Sequence, residues 1–128
     1  MTTIPDFTDA DAMSAVRLHH AGRLLAGDVE LSGVWPRCCA WLLRLAVEHA
    51  LRELWAARRP ELADCPMRTQ LLALRRFTDP DSAHDVADVW CALSRLAHHH
   101  DYELPPSAAE LRHWYHRTAR ICAALPPR

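Results

Sequence analysis

The sequence predicts an all-α protein, a compact up-down bundle of four main helices plus one short helix. Three observations predict this class: an apolar half of the chain dominated by Ala and Leu, apolar residues that recur at helical spacing, and prolines placed where helices start or stop. A chain of 128 residues is long enough to bury one core. We therefore predict a single domain over residues 1–128, in which residues 1–7 are a loose lead-in.

The first predicted helix follows Thr8, which is placed to cap it. Gly27 ends this helix, since glycine favours the position just after a helix. The inward positions step at helical spacing and comprise Met13, Val16, His20 and Leu24. His20 is therefore expected to be buried and to lie toward the centre of the bundle.

The second predicted helix starts at Pro36 and stops before Pro60, because proline suits the start of a helix and not its interior. Its apolar stripe comprises Cys39, Leu42, Leu43, Ala46, Val47, Ala50 and Leu54. Trp41 and Leu45 lie away from that stripe. Apolar residues on more than one side of a helix are typical of a central helix or of a subunit contact. These two residues are predicted to form part of a dimer or partner surface.

A short helix is predicted from Met67 to about Phe77, and a third main helix follows the helix-breaking residues TDPDS. Ser82 and Asp85 have the spacing of a capping box at the start of this third main helix. Its predicted core stripe comprises Val86, Trp90, Leu93 and Ala97. Its far side is predicted to carry Asp88, Ala92, Arg95 and His99.

The last helix is predicted to begin at the capping box formed by Ser107 and Glu110. Its inward positions comprise Leu111, Trp114, Thr118, Ile121, Cys122 and Leu125. Its outer face is basic and comprises Arg112, His113, His116, Arg117 and Arg120. This face suits contact with a phosphate backbone, and the alternative is an ordinary solvated helix face.

Charge and cysteine usage limit the class of partner and the compartment. The net charge of −1 and the pI of about 6.7 exclude a strongly basic nucleic-acid-binding protein, so any RNA contact must come from a local patch. Every cation is Arg, which reflects either a GC-rich coding bias or phosphate recognition. Five irregularly spaced cysteines, with no signal peptide and no membrane-length apolar run, predict a reducing, cytoplasmic setting without a membrane partner.

The best candidates for catalytic residues lie at the end of the third main helix, where Arg95 precedes His98, His99 and His100. On a continuous helix His99 lies one turn above Arg95, whereas His100 lies about 140 degrees away. An imidazole titrates near neutral pH and can exchange protons, and a guanidinium can hold phosphate oxygens as charge builds. The alternative is that these cations only complement the dipole at a helix end. Consecutive side chains point about 100 degrees apart, so the histidine run is not predicted to chelate a metal, and no cofactor is predicted.

The segment Arg95-Leu-Ala-His-His-His100 in an all-helical chain resembles the motif of the HEPN family, which is Arg, four to six residues, then His. Only His100 satisfies that spacing, and Leu96 stands where active members commonly have a polar residue. The resemblance implies a helical bundle that dimerises and a composite, metal-independent ribonuclease site. It implies that Arg95 and His100 act on the scissile phosphate, with the RNA 2′-hydroxyl as nucleophile. His99 competes with His100 for this role.

Two functions therefore remain as hypotheses. The first is a homodimeric HEPN-like ribonuclease, for example the toxin of a toxin–antitoxin pair or an anti-phage effector, with RNA contacts from Arg112, His116, Arg117 and Arg120. The second is a non-catalytic helical interaction or regulatory module. In that case a partner protein binds through Trp41, Leu45 and the outer face of the third main helix, which includes Asp88.

Overall fold

Four long helices and one short helix make up the fold. The structure is a computed structural model, and it describes residues 10–27, 35–98 and 104–125. In chain order the elements are α1 (Ala10–Leu25), α2 (Trp35–Arg58), a 3₁₀ turn (Pro60–Leu62), α3 (Met67–Leu74), α4 (Pro80–Ala97) and α5 (Ala108–Ala124). The predicted all-α bundle of four main helices and one short helix is confirmed. The predicted lead-in and the cap at Thr8 lie outside the described residues.

Hydrogen bonds between helices fix their relative directions. The Ser14 hydroxyl donates to the Ala46 carbonyl over 3.2 Å, and the Cys39 thiol lies 3.8 Å from the Ala21 carbonyl. The start of α1 therefore faces the middle of α2, and the end of α1 faces the start of α2. These two helices run antiparallel, as short connections between bundle helices require.

Helix α2 is the centre of the core. Its predicted stripe is confirmed, since every residue of it is buried except Leu42, which is half-buried. Trp55, near the end of α2, is fully buried and its indole N–H donates to the Gln70 side-chain oxygen over 3.1 Å. The Gln70 amide in turn donates to the Cys65 carbonyl over 2.7 Å. This chain of bonds satisfies two buried polar side chains and attaches α3 beneath the end of α2.

Helix α4 begins three residues earlier than the capping box predicted from Ser82 and Asp85, and that prediction was wrong. Asp79 is the cap, and its carboxylate accepts the Ser82 backbone N–H over 3.0 Å. Pro80 occupies the first turn, where a missing N–H leaves nothing unsatisfied. Hydrogen bonds from Ser82 lower the pKa of Asp79 below its ordinary value, because they favour the ionised carboxylate.

Two further predictions of side-chain orientation were wrong. His20 is exposed, because α1 packs on α2 through the smaller residues Ser14 and Ala21 instead. Ala92 is buried although it was assigned to the far side of α4, since α4 packs against both α2 and α5 and so buries a wider arc. Helix α3 also ends at Leu74, earlier than Phe77.

Helix α5 follows the prediction closely. The Ser107 hydroxyl accepts the Glu110 backbone N–H over 3.1 Å, as expected at the start of a helix. On the α1 side, a methyl group in place of hydrogen on Gly22 would meet the Tyr115 hydroxyl at 3.3 Å. Glycine at this position therefore favours the close approach of α1 and α5. Of the inward positions, the buried members are Leu111, Thr118, Ile121 and Leu125, and the half-buried members are Trp114 and Cys122.

Candidate functional site

The end of α4 carries the first group of candidate residues. Arg95 is exposed in the last helical turn, and the helix stops at Ala97. His98 is exposed and has an extended backbone, with φ −78° and ψ 138°, while its N–H still donates to the Arg95 carbonyl over 3.3 Å. The helical spacing that favoured His99 therefore does not extend past Ala97. His99 and His100 themselves lie outside the described residues.

Arg37 holds this end of α4 from the neighbouring helix. Its guanidinium Nη1 donates to the His98 carbonyl and lies 3.4 Å from the Leu96 carbonyl. The last carbonyls of a helix have no partner within the helix and carry partial negative charge, so a cation there stabilises the end. The sequence analysis did not identify Arg37. Its position just after Pro36 indicates a helix start but gives no information about a partner about 60 residues away.

Further side-chain contacts join α2 and α4 beyond the Arg37 contacts. The Trp90 indole N–H donates to the Glu48 carboxylate over 3.1 Å, and Arg44 lies 3.6 Å from the same carboxylate. Together with the Arg37 contacts, this bond shows that α2 and α4 run antiparallel. The start of α2 and the end of α4 therefore lie at one end of the bundle.

The predicted partner surface on α2 is divided. Trp41 lies one turn after Arg37 and is 45 % exposed, which is unusual for so large an apolar side chain. Leu45 is half-buried and lines a separate cleft with Glu48 and His49. Of these two residues, only Trp41 therefore presents a large apolar surface near the end of α4.

The basic face of α5 is also divided. Arg112, His116 and Arg120 are exposed and lie on one line along the helix. Arg117 differs from these three residues because its guanidinium donates hydrogen bonds to the Asp85 carboxylate and, over 3.0 Å, to the Asp88 carboxylate.

The Arg117 ion pairs form a link between α5 and α4. The Arg117 side chain is only 17 % exposed and stacks over the Trp114 ring at 5.0 Å. Partial burial acts against its charge, but the hydrogen bonds to Asp85 and Asp88 outweigh this effect and raise the pKa of Arg117. Arg117 and Asp88, predicted to contact RNA and a partner respectively, are thus engaged with each other.

The two ends of the α5 line lie at opposite ends of the bundle. Arg120 lines a small cavity with Ser82 and Ala124, near the start of α4. Since α5 runs antiparallel to α4, Arg112 in the first turns of α5 lies at the same end of the bundle as Arg95. The fold therefore brings Arg112, and not Arg120, to the end of α4 that carries the histidine run.

His49, Cys39 and Cys122 lie outside this end and have pKa values shifted from their ordinary ones. His49 lines the cleft beside α2, where burial, and then the nearby charges of Arg17 and Arg52, lower its pKa. Burial raises the pKa of the Cys39 thiol to about 12 and also raises that of Cys122, so neither is a reactive thiolate at neutral pH. All five cysteines are free; Cys39 is buried in the core, and the half-buried Cys38 and Cys122 pack against it.

The part of the chain that the structure describes contains no candidate metal site and no candidate membrane span. No set of three or more His, Cys, Asp and Glu side chains there is arranged to hold a metal ion. None of the helices in that part of the chain is both long and apolar enough to cross a bilayer.

Comparison with family models, with curated proteins and with solved structures gives no match. The HEPN resemblance therefore stays a prediction from the sequence.

Proposed function

We propose that this chain is a HEPN-like, metal-independent endoribonuclease whose site is built at the end of α4. The observation that carries the proposal is the exposed Arg95 guanidinium in the last turn of α4, at a helix end that Arg37 holds from α2. A guanidinium held on a rigid helix is suited to bind the non-bridging oxygens of a phosphodiester. The histidine run begins directly after it.

In the proposed reaction an imidazole of His99 or His100 removes the proton of the RNA 2′-hydroxyl. The hydroxyl oxygen attacks phosphorus, and the bond from phosphorus to the 5′-oxygen breaks. The products are a 2′,3′-cyclic phosphate and a 5′-hydroxyl, which takes up a proton. Arg95 neutralises the charge that builds on the phosphate, and a second copy of the chain supplies the matching residues in a homodimer. Arg112, at the same end of the bundle, is suited to bind the flanking phosphate.

The test uses purified chain, single-stranded RNA and EDTA. We expect cleavage to give cyclic phosphate ends and to be lost when a 2′-deoxynucleotide stands at the cut site. Arg95→Ala should lower the rate about 10²-fold or more, since a phosphate-binding cation is removed. The double variant His99→Ala, His100→Ala should abolish cleavage. Arg23→Ala, which removes an exposed arginine from the last turn of α1, is the matched control.

Two results would overturn the nuclease proposal. One is the absence of cleavage for every RNA tested. The other is cleavage that persists unchanged in Arg95→Ala, because the activity would then come from another site or another protein.

The second candidate function is a non-catalytic module that binds a partner protein, and the exposure of Trp41 favours it. Exposed tryptophans are enriched at the centres of protein interfaces. We expect a complex with a protein encoded next to this chain to be lost in Trp41→Ala and kept in Arg95→Ala. A complex that is kept in Trp41→Ala, together with RNA cleavage that is lost in Arg95→Ala, would leave only the nuclease.

A further inference from the structure

A groove between α3 and α4 has an apolar floor and a cationic rim. The floor is formed by Leu71 and Leu72 of α3 and by Ala83 and Ala87 of α4, and the groove has a volume of about 350 Å³. Leu72 is 62 % exposed. This groove lies on the side of α4 turned away from the Arg117 ion pairs, and it belongs neither to the end of α4 nor to the Trp41 surface.

The rim of the groove is formed by Arg68, Arg75 and His84, all of which are exposed. Among the described residues neither arginine forms an ion pair, in contrast to Arg117. Asp81 is exposed in the first turn of α4 but does not line the groove. The charge that faces an occupant is therefore positive.

We propose that this groove binds an amphipathic helix of a partner protein, with an apolar stripe flanked by carboxylates. The two alanines are one helical turn apart: Ala83 is buried at the bottom of the groove, and the half-buried Ala87 has a small side chain that lets a helix approach α4 closely. The apolar stripe of the partner covers Leu71 and Leu72, and its carboxylates pair with Arg68 and Arg75. This arrangement is the helix-in-groove mode of peptide recognition, with electrostatic complementarity at its edges.

Other occupants fit the groove less well. RNA would find aliphatic carbon at the floor and no Phe, Tyr or Trp side chain among the lining residues on which a base could stack. A second copy of the chain lacks the required helix within its described residues, because no helix there exposes more than one carboxylate that is not already paired with Arg117. The groove therefore fits a different protein.

The experiment uses the full chain as bait for a displayed library of random helical peptides about five turns long. We expect the enriched peptides to carry apolar residues at i, i+3 or i+4 and i+7 with Asp or Glu beside them. Leu72→Glu should weaken the binding of an enriched peptide about tenfold or more, because it places a charge on the floor. The double variant Arg68→Glu, Arg75→Glu should do the same, and its effect should shrink at high salt.

The control is Arg23→Glu, which reverses one arginine charge at an exposed position of α1 and should leave peptide binding unchanged. All substituted side chains are exposed, so the variants should keep the helical circular dichroism and melting temperature of the parent. The proposal is overturned if the enriched peptides are not acidic and amphipathic, or if Leu72→Glu does not affect their binding. It is also overturned if the double arginine variant loses RNA binding while peptide binding is unchanged.

Discussion

The two ends of α4 are held in different ways. At the start, Asp79 accepts the N–H of Ser82, three residues further along the same segment. At the end, the carbonyls of Leu96 and His98 are bound by Arg37, which belongs to another helix and lies about 60 residues earlier in the sequence. The first end depends on local sequence, whereas the second depends on the packing of α2 against α4.

This difference bears directly on the proposed function. The start of α4 carries no candidate catalytic residue, and its cap is formed by residues of its own segment. The end of α4 carries Arg95 and leads into the histidine run, and its geometry exists only when the bundle is assembled. A site at such an end is therefore coupled to tertiary structure, as preorganised sites are.

The largest expected effect comes from a change between the two ends. Leu93 is fully buried about one turn before the end of α4, so Leu93→Ala should lower the free energy of unfolding by about 2–5 kcal/mol through lost burial and a new cavity. Both ends of α4 should then exchange amide hydrogens faster. Urea denaturation measures the loss, and Leu72→Ala, on the exposed side of α3, is the control, with a change within about 0.5 kcal/mol. Equal losses in both variants would contradict the assignment of Leu93 to the core.

A smaller and more local effect is expected for Arg37→Ala. We expect a loss of about 1 kcal/mol in unfolding free energy, because helix-end carbonyls lose a charged donor to which water is only a partial substitute. Amide exchange should accelerate at His98 and not at Ser82. RNA cleavage should fall with Arg37→Ala while the pH at which the rate is half-maximal stays constant, since Arg37 positions the site and does not exchange protons.

The control for Arg37→Ala is Arg52→Ala, which removes an exposed arginine from the same helix. It should leave exchange at both ends of α4 unchanged. If Arg37→Ala accelerated exchange equally at Ser82 and His98, the end of α4 would not depend on Arg37 separately from the rest of the helix.

The smallest effect is expected at the start of α4 and appears only in acid. The pKa of Asp79 is lowered by its hydrogen bonds with Ser82, so the unfolded chain binds the proton more readily than the folded chain. The stabilisation is therefore present above the ordinary pKa of 3.8 and is lost as the pH falls through the lower folded value. Asp79→Asn keeps a capping oxygen without this titration.

Urea denaturation across the acid range measures this effect, and the unfolding free energy of Asp79→Asn should fall less steeply than that of the parent. Asp81→Asn, in the same turn but without the hydrogen bonds from Ser82, is the control and should follow the parent more closely. Parallel curves for Asp79→Asn and the parent would contradict the role of Asp79 as the cap.

The fold was predictable from the sequence because its determinants are local. Apolar periodicity located the central stripe of α2, and the pair Ser107 and Glu110 located the start of α5. Local patterns were insufficient at the start of α4, where two residues were possible caps. Ser82 has the spacing of a cap, but Asp79 before Pro80 provides a cap with a proline in the favoured first turn.

The candidate site was less predictable because it depends on contacts between distant residues. Arg95 and Arg112 were identifiable as exposed cations on helices, but nothing local distinguishes them from Arg117, which is paired with Asp85 and Asp88. Periodicity likewise misplaced His20, because it cannot show that the smaller Ser14 and Ala21 set the approach of α1 to α2. The α3–α4 groove has no sequence signal either, since its floor comes from two separate helices.

The close approach at Gly22 has a consequence for a surface on another helix. Tyr115, whose hydroxyl lies where a methyl group on residue 22 would press, is directly followed by His116 in the exposed basic line of α5. Gly22→Ala would place a methyl carbon 3.3 Å from the Tyr115 hydroxyl oxygen, so the tyrosine side chain would have to shift by a few tenths of an ångström. The addition of one methyl group to α1 would therefore be felt first by a side chain of α5, the helix that carries the exposed basic line.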